Sequence, residues 1–192
     1  MDQFAAFVSA FVYIFVIIDP FASLPLFLIL TGKMNKEEVG HSAKDAILIA
    51  GALAVIFLVA GTPLLSLMRI DISSFKIAGG IVLGLLGIET VLGLELAHNG
   101  KRAKTALTTL IATPLLTGPG LMSTLIIMAG EQGILIPLAA TLVALFLSWA
   151  VLVNADGIRR KLGAQAILVL AKVLGLFLLA IGISFITAGL GM

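Results

Sequence analysis

Apolar residues run in long stretches along this chain, and the polar residues gather in short segments between them. Six apolar runs, at residues 4–31, 44–67, 73–96, 104–129, 134–154 and 165–190, each reach the length, about 20 residues at roughly 1.5 Å rise, that a helix needs to cross hydrocarbon. The segments between them, "TGKMNKEEVGHS", "MRIDIS", "HNGKRAK", "GEQG" and "NADGIRRKLGAQ", are polar, and most carry glycine, as helix breaks do. None is long enough to fold as a soluble domain. The pattern predicts an all-α polytopic membrane protein, a single transmembrane domain over residues 1–192 with six transmembrane helices in a lipid bilayer.

Composition agrees with the pattern: 60% of the residues are hydrophobic and 11% are charged, with a mean hydropathy of +1.21. The net charge of +2 does not point to nucleic acid, because most basic residues lie in or beside short loops. Lys33, Lys36, Lys44, Lys101, Arg102, Lys104, Arg159, Arg160 and Lys161 fall at odd-numbered loops, whereas the even loops have only Arg69 and, nearby, Lys76. Basic residues favour the cytoplasmic side, so the odd loops are predicted to face the cytoplasm and both termini the outside. The first residues lack the basic start and small-residue cleavage site of a secretory signal and read as part of the first helix. Cysteine is absent, which removes disulfides and thiolate metal sites. His41 and His98 lie in polar loops with no second ligand at metal spacing, and no cofactor is expected.

The two halves of the chain resemble each other. "DPFASLP" at 19–25 lies over "TPLLTGP" at 113–119, pairing Pro20 with Pro114, Ser23 with Thr117 and Pro25 with Pro119 at one constant offset. "KIAGGIVLGLLGIETVLGL" at 76–94 lies over "KVLGLFLLAIGISFITAGL" at 172–190, pairing Lys76 with Lys172, Gly79 with Gly175 and Gly93 with Gly189. Repeat one covers about 1–97 and repeat two about 98–192. Three helices per repeat send the second copy into the membrane in the opposite direction, so the arrangement predicted is two inverted three-helix repeats, a pattern of secondary transporters.

Both matched motifs sit inside apolar spans. Proline removes a backbone donor and crowds the preceding turn, so two prolines in one stretch predict broken first and fourth helices. Ser23 and Thr117 are expected to cap the second half-helices, with Pro25 and Pro119 in their first turns and Gly118 and Gly120 adding backbone freedom. Unwound backbone is tolerated at membrane depth only where protein or a wet cavity covers it, so both breaks should face an interior site. Asp19 lies about 15 residues into its span, roughly 22 Å of helix, which places a carboxylate inside the hydrocarbon layer. An intramembrane acid is a functional candidate; a hydrogen-bonded structural aspartate is the plainer alternative. Glu89 in the third span either lines the same cavity or approaches the cytoplasmic surface. Lys76 and Lys172 read as side chains snorkelling to opposite interfaces. The glycines of "AGGIVLGLLG" read as a close-packing face.

Half-helix N-termini suit a carboxylate, and Asp19 suits an ammonium group or a proton. Together they describe a zwitterion site with Asp19, Pro20, Ala22, Ser23, Thr113, Thr117, Gly118 and Gly120 as the candidate substrate-binding residues, and Asp19 and Glu89 as the candidate coupling acids. Small neutral amino acids are the expected substrates. No P-loop is present, which leaves coupling to protons or another ion, or exchange.

"IIDPFASLPLFL", "ATPLLTGPGLMSTLI" and "FKIAGGIVLGLLGIE" together resemble the MarC family of six-helix membrane proteins. That resemblance implies the inner membrane of a bacterium or archaeon, transport of glycine, alanine and related amino acids as in SnatA-type members, and proton coupling. The family often carries a glycine–asparagine pair where this chain has Ala22 and Ser23. Two other classes stay open: an ion or small-solute channel, which would want a ring of polar side chains along a pore, and an intramembrane enzyme, for which no paired aspartates or HExxH motif is found.

Overall fold

The computed structural model describes residues 3–93 and 118–191. Among these, seven helices and no strands are present: α1 Gln3–Ile18, α2 Pro20–Thr31, α3 Lys36–Leu67, α4 Ile72–Leu92, α5 Pro119–Gln132, α6 Leu135–Val153 and α7 Ala155–Gly189. The stretches Gln3–Thr31, Lys36–Leu67, Ile72–Leu92, Leu135–Val153 and Ala155–Gly189 are each long and apolar enough to cross a membrane. The protein is thus an all-helical, multi-pass membrane protein. α5 covers the second half of the fourth predicted span; Thr113, Pro114 and Thr117 lie outside the described residues.

Two predicted linkers are shorter than the sequence pattern implied. α3 begins at Lys36 because Asn35 closes a capping box: its side chain accepts from the Glu38 backbone N–H at 2.9 Å and the Glu38 carboxylate accepts from the Asn35 N–H at 2.8 Å. Most of "NADGIRRKLGAQ" is helical as well. An Asp156–Arg160 ion pair one turn apart (2.8 Å) supports its first turns, and the predicted break contracts to Gly163, whose φ of 79° a glycine adopts without steric penalty.

Small residues decide which helices meet. α3 buries Ala43, Ala46, Ala50 and Ala54, nearly a single stripe at helical spacing, and α6 buries Ala140, Ala144 and Ser148. α6 packs against both α1 and α3. Between chains of similar polarity to lipid, the gain comes from close van der Waals contact, which small side chains permit. α4 and α7 make the most extensive contact in the described structure. A methyl added at Gly80 would lie 2.5 Å from the Gly182 carbonyl oxygen, one at Gly87 2.8 Å from the Gly175 carbonyl oxygen, and one at Gly189 2.7 Å from that of Ser73. Partner numbers fall as α4 advances, so the two helices run antiparallel with their backbones almost touching. Large apolar residues such as Ile56, Phe146, Leu176 and Phe177 are exposed on the outside of the bundle, where a membrane protein meets acyl chains.

Buried hydroxyls in the helices are satisfied at home. Thr31 donates to the Phe27 carbonyl (2.7 Å), Thr124 to Gly120 (2.9 Å), Thr141 to Pro137 (2.6 Å) and Ser148 to Ala144 (2.8 Å), each one turn back. None of these groups demands a ligand.

Candidate substrate site at the helix breaks

The first span breaks at one residue. Asp19 adopts φ 38°, ψ 69°, a left-handed conformation that costs a non-glycine residue on the order of 1–2 kcal/mol. Its N–H still donates to the Phe15 carbonyl (3.1 Å), which closes α1, and its Oδ1 accepts from the Ala22 N–H (3.1 Å), which opens α2. Pro20 then takes the first position of α2, where its missing donor does no harm to the new helix. Because Pro20 and Pro25 have no N–H, the carbonyls of Val16 and Phe21 are denied their regular helical donors.

Asp19, rather than Ser23, is therefore the cap. Ser23 already lies inside α2 and its hydroxyl donates to the Asp19 carbonyl oxygen at 3.3 Å. Pro25 sits within the helix instead of in its first turn. An aspartate side chain reaches its own downstream N–H groups as well as a serine does and tolerates the left-handed region better, so the cap forms one turn earlier than the proline spacing implied.

Asp19 is 6% exposed, and its second oxygen, Oδ2, has no hydrogen-bond partner among the described residues. Burial of a polar atom without a partner is costly, and most buried groups avoid it. Thr62 Oγ1, one residue before Pro63 in α3, is the other such side-chain atom among the described residues. Pro20 and Ser23 are buried beside Asp19, whereas Ala22 is exposed.

α5 also starts with a proline directly after its cap, but with an extended cap residue, φ −59°, ψ 170°, and different chemistry. Gly118 stands at the cap with no side-chain hydrogen bond, and Pro119 takes the first position of α5. The N–H groups of Gly120 and Leu121 have no acceptor within the helix; the first intrahelical bond of this turn is Met122 N–H to the Gly118 carbonyl, 3.2 Å. α2 thus starts at the first proline of its motif and α5 at the second proline of the matching motif, so the two half-helix starts are out of step with the aligned prolines.

Gly120 is buried against α4: a methyl there would lie 2.7 Å from Leu83 Cδ2 and 3.3 Å from Leu86 Cδ1. Ile18 and Leu121, the neighbours of Asp19 and Gly120, both belong to the larger buried cluster of the bundle. Glu89 is half-buried in the last turn of α4, next to Thr90, which faces Gly175 of α7. It therefore sits towards the end of α4 that the odd loops share.

The sequence pattern missed Ser123 and Thr124. Both are buried one turn into α5, and Gly79 of α4 lacks a side chain where Ser123 sits: a methyl at Gly79 would lie 2.8 Å from Ser123 Oγ. The readable signal was a pair of hydroxyls one turn past a Gly-Pro-Gly start. Lys76, expected to snorkel to an interface, forms an ion pair with Glu131 at the end of α5. Outside the spans, Asp71 caps α4; the Ser74 backbone N–H and hydroxyl, both 2.8 Å away, hold its carboxyl below the usual carboxylate range.

No group of three or more histidine, cysteine, aspartate or glutamate side chains able to hold a metal ion occurs among the described residues. The features together define a multi-pass helical membrane protein with an acid buried at a helix break. The chain belongs to the MarC family: residues 4–192 match the MarC family integral membrane protein. It is 33% identical to a UPF0056 membrane protein of Aquifex aeolicus, covering 99% of this chain and 95% of that one. A UPF0056 membrane protein of Methanocaldococcus jannaschii is 30% identical (96% and 95% covered). The UPF0056 membrane protein YhcE of Escherichia coli is 28% identical (98% and 93%). Relatives therefore occur in both bacteria and archaea. No solved structure matches the chain.

Proposed function

We propose that this MarC-family protein is a secondary transporter of small neutral amino acids, glycine, alanine and similar, across the cytoplasmic membrane, working by alternating access with proton coupling or exchange. One observation carries the reading: a carboxylate buried at a left-handed helix break, with one oxygen that has no partner among the described residues. A group held at such a cost is satisfied when a ligand's ammonium or a proton arrives. The N–H groups at the start of α5 supply the opposite need, since a helix N-terminus favours a carboxylate. A zwitterion meets both.

Asp19, Pro20, Ala22, Ser23, Gly118 and Gly120 are assigned to the substrate, with Thr113 and Thr117 added from the motif alone. Asp19 is the principal coupling acid and Glu89 the secondary one. The inverted repeat is supported by the antiparallel pairing of α4 with α7, because two copies entering from opposite sides bring their third helices together in opposed directions. The bias of basic residues supports odd loops in the cytoplasm and both termini outside.

The test is flux of labelled alanine and glycine into proteoliposomes, in counterflow and under an imposed proton gradient. Uptake above that of empty vesicles is expected. Absence of movement for both amino acids in both formats removes the reading, and ion conductance in its place would favour a channel.

A further inference from the structure

A cleft of about 520 Å³ opens between the last turns of α2 and the kinked start of α7. Pro25, Leu28, Ile29 and Ile167 form its apolar wall, and Lys33 and Arg159 stand at its polar end. Lys33 follows the end of α2, and Arg159 lies on the short helical stretch before the Gly163 kink, so both charges belong at the membrane–water boundary. Among the described residues neither cation has a carboxylate partner: Arg160 takes Asp156, and the Glu38 carboxylate is engaged by the Asn35 N–H. The cleft also faces outward, since Ile29 is 76% exposed and Leu162 and Leu168 beside the kink are about half exposed. In a membrane protein such side chains meet acyl chains.

We infer that this cleft binds one acidic phospholipid, its phosphate headgroup between Lys33 and Arg159 and its upper acyl chain along Leu28, Ile29 and Ile167. The charge pattern selects the occupant. Two cations over an apolar groove fit an amphiphile with a net negative head; a zwitterionic lipid would bring its own cation against Lys33 and Arg159, and a soluble anion would leave the apolar wall uncovered. The bound lipid would tie α2, the half-helix that Asp19 caps, to α7, whose other face holds α4. The proposal does not depend on which solute the protein carries.

The experiment titrates phosphatidylglycerol or phosphatidylcholine into the full chain in neutral detergent, with thermal unfolding and native mass spectrometry as readouts. Phosphatidylglycerol is expected to raise the unfolding temperature saturably with one lipid bound, and phosphatidylcholine to leave it unchanged. The double variant Lys33→Gln/Arg159→Gln is expected to bind phosphatidylglycerol about 30-fold more weakly, and Lys36→Gln/Lys161→Gln, of equal charge but outside the cleft, within about twofold of the original. Ala164→Trp fills the groove from an exposed position and is expected to abolish binding even if the double variant cannot be purified. The proposal is overturned by equal binding of the two lipids, by undiminished binding in the double variant or in Ala164→Trp, or by an equal loss in the Lys36/Lys161 control. Competition by inorganic phosphate would also overturn it, by assigning the cations to a soluble anion.

Discussion

The starts of α2 and α5 share a proline directly after the cap, but the caps differ in conformation and chemistry. At α2 the cap is Asp19, held left-handed, with one carboxylate oxygen on the Ala22 N–H and the other without a partner among the described residues. At α5 the cap is Gly118, which offers no side chain, and the first N–H groups have no acceptor within the helix. The proline that follows each cap makes the helix start; what fills the cap decides the charge. Two helix starts can therefore share a proline while only one carries an ionisable group, which suits the proposed site, where one end handles an ammonium or a proton and the other a carboxylate.

The sharpest way to break this contrast is Asp19→Asn. Asparagine caps helices about as well and tolerates the left-handed region, so the break should persist while the charge is lost. Interactions with a charged partner contribute about 1.5–3 kcal/mol, so a roughly 10- to 150-fold fall in alanine flux is expected with an unfolding temperature close to the original. Unchanged flux and pH dependence would remove Asp19 from the mechanism. A second comparison sets Gly120→Leu against Ala22→Leu. Gly120 abuts Leu83 and Leu86, so overpacking there should destabilise the protein by about 1–3 kcal/mol in denaturant unfolding, whereas leucine at exposed Ala22 should change stability little. Loss of flux without loss of stability at Ala22 would sharpen its assignment to the substrate. The smallest effect is expected for Ser23→Ala, which removes a 3.3 Å bond to the Asp19 carbonyl and should lower stability by about 1 kcal/mol or less. A larger drop in flux than in stability would mean that the hydroxyl touches the substrate.

Much of this site was legible in the sequence, for local reasons. An aspartate followed by proline inside an apolar run announces a break, because proline's missing N–H acts on the turn next to it wherever the helix lies. The identity of the cap was less legible. Ser23 and Asp19 are both good caps, and the choice followed from a backbone that could enter the left-handed region at Asp19. Ser123 and Thr124 escaped notice because each hydroxyl bonds within its own helix, and only the tertiary structure sets Ser123 against the space that Gly79 leaves on α4.

By itself the sequence determined five spans among the described residues, the broken first helix and the place of an acid at that break. These follow from hydropathy, proline geometry and rise per residue, which operate within a few turns. Only the tertiary structure decided that Asp19 keeps one oxygen without a partner among the described residues, that Lys76 meets Glu131, and that α4 and α7 lie antiparallel with glycine backbones in contact. Each of these depends on which distant helices meet, and in lipid that choice rests on close fit between surfaces of similar polarity, a property no single segment carries.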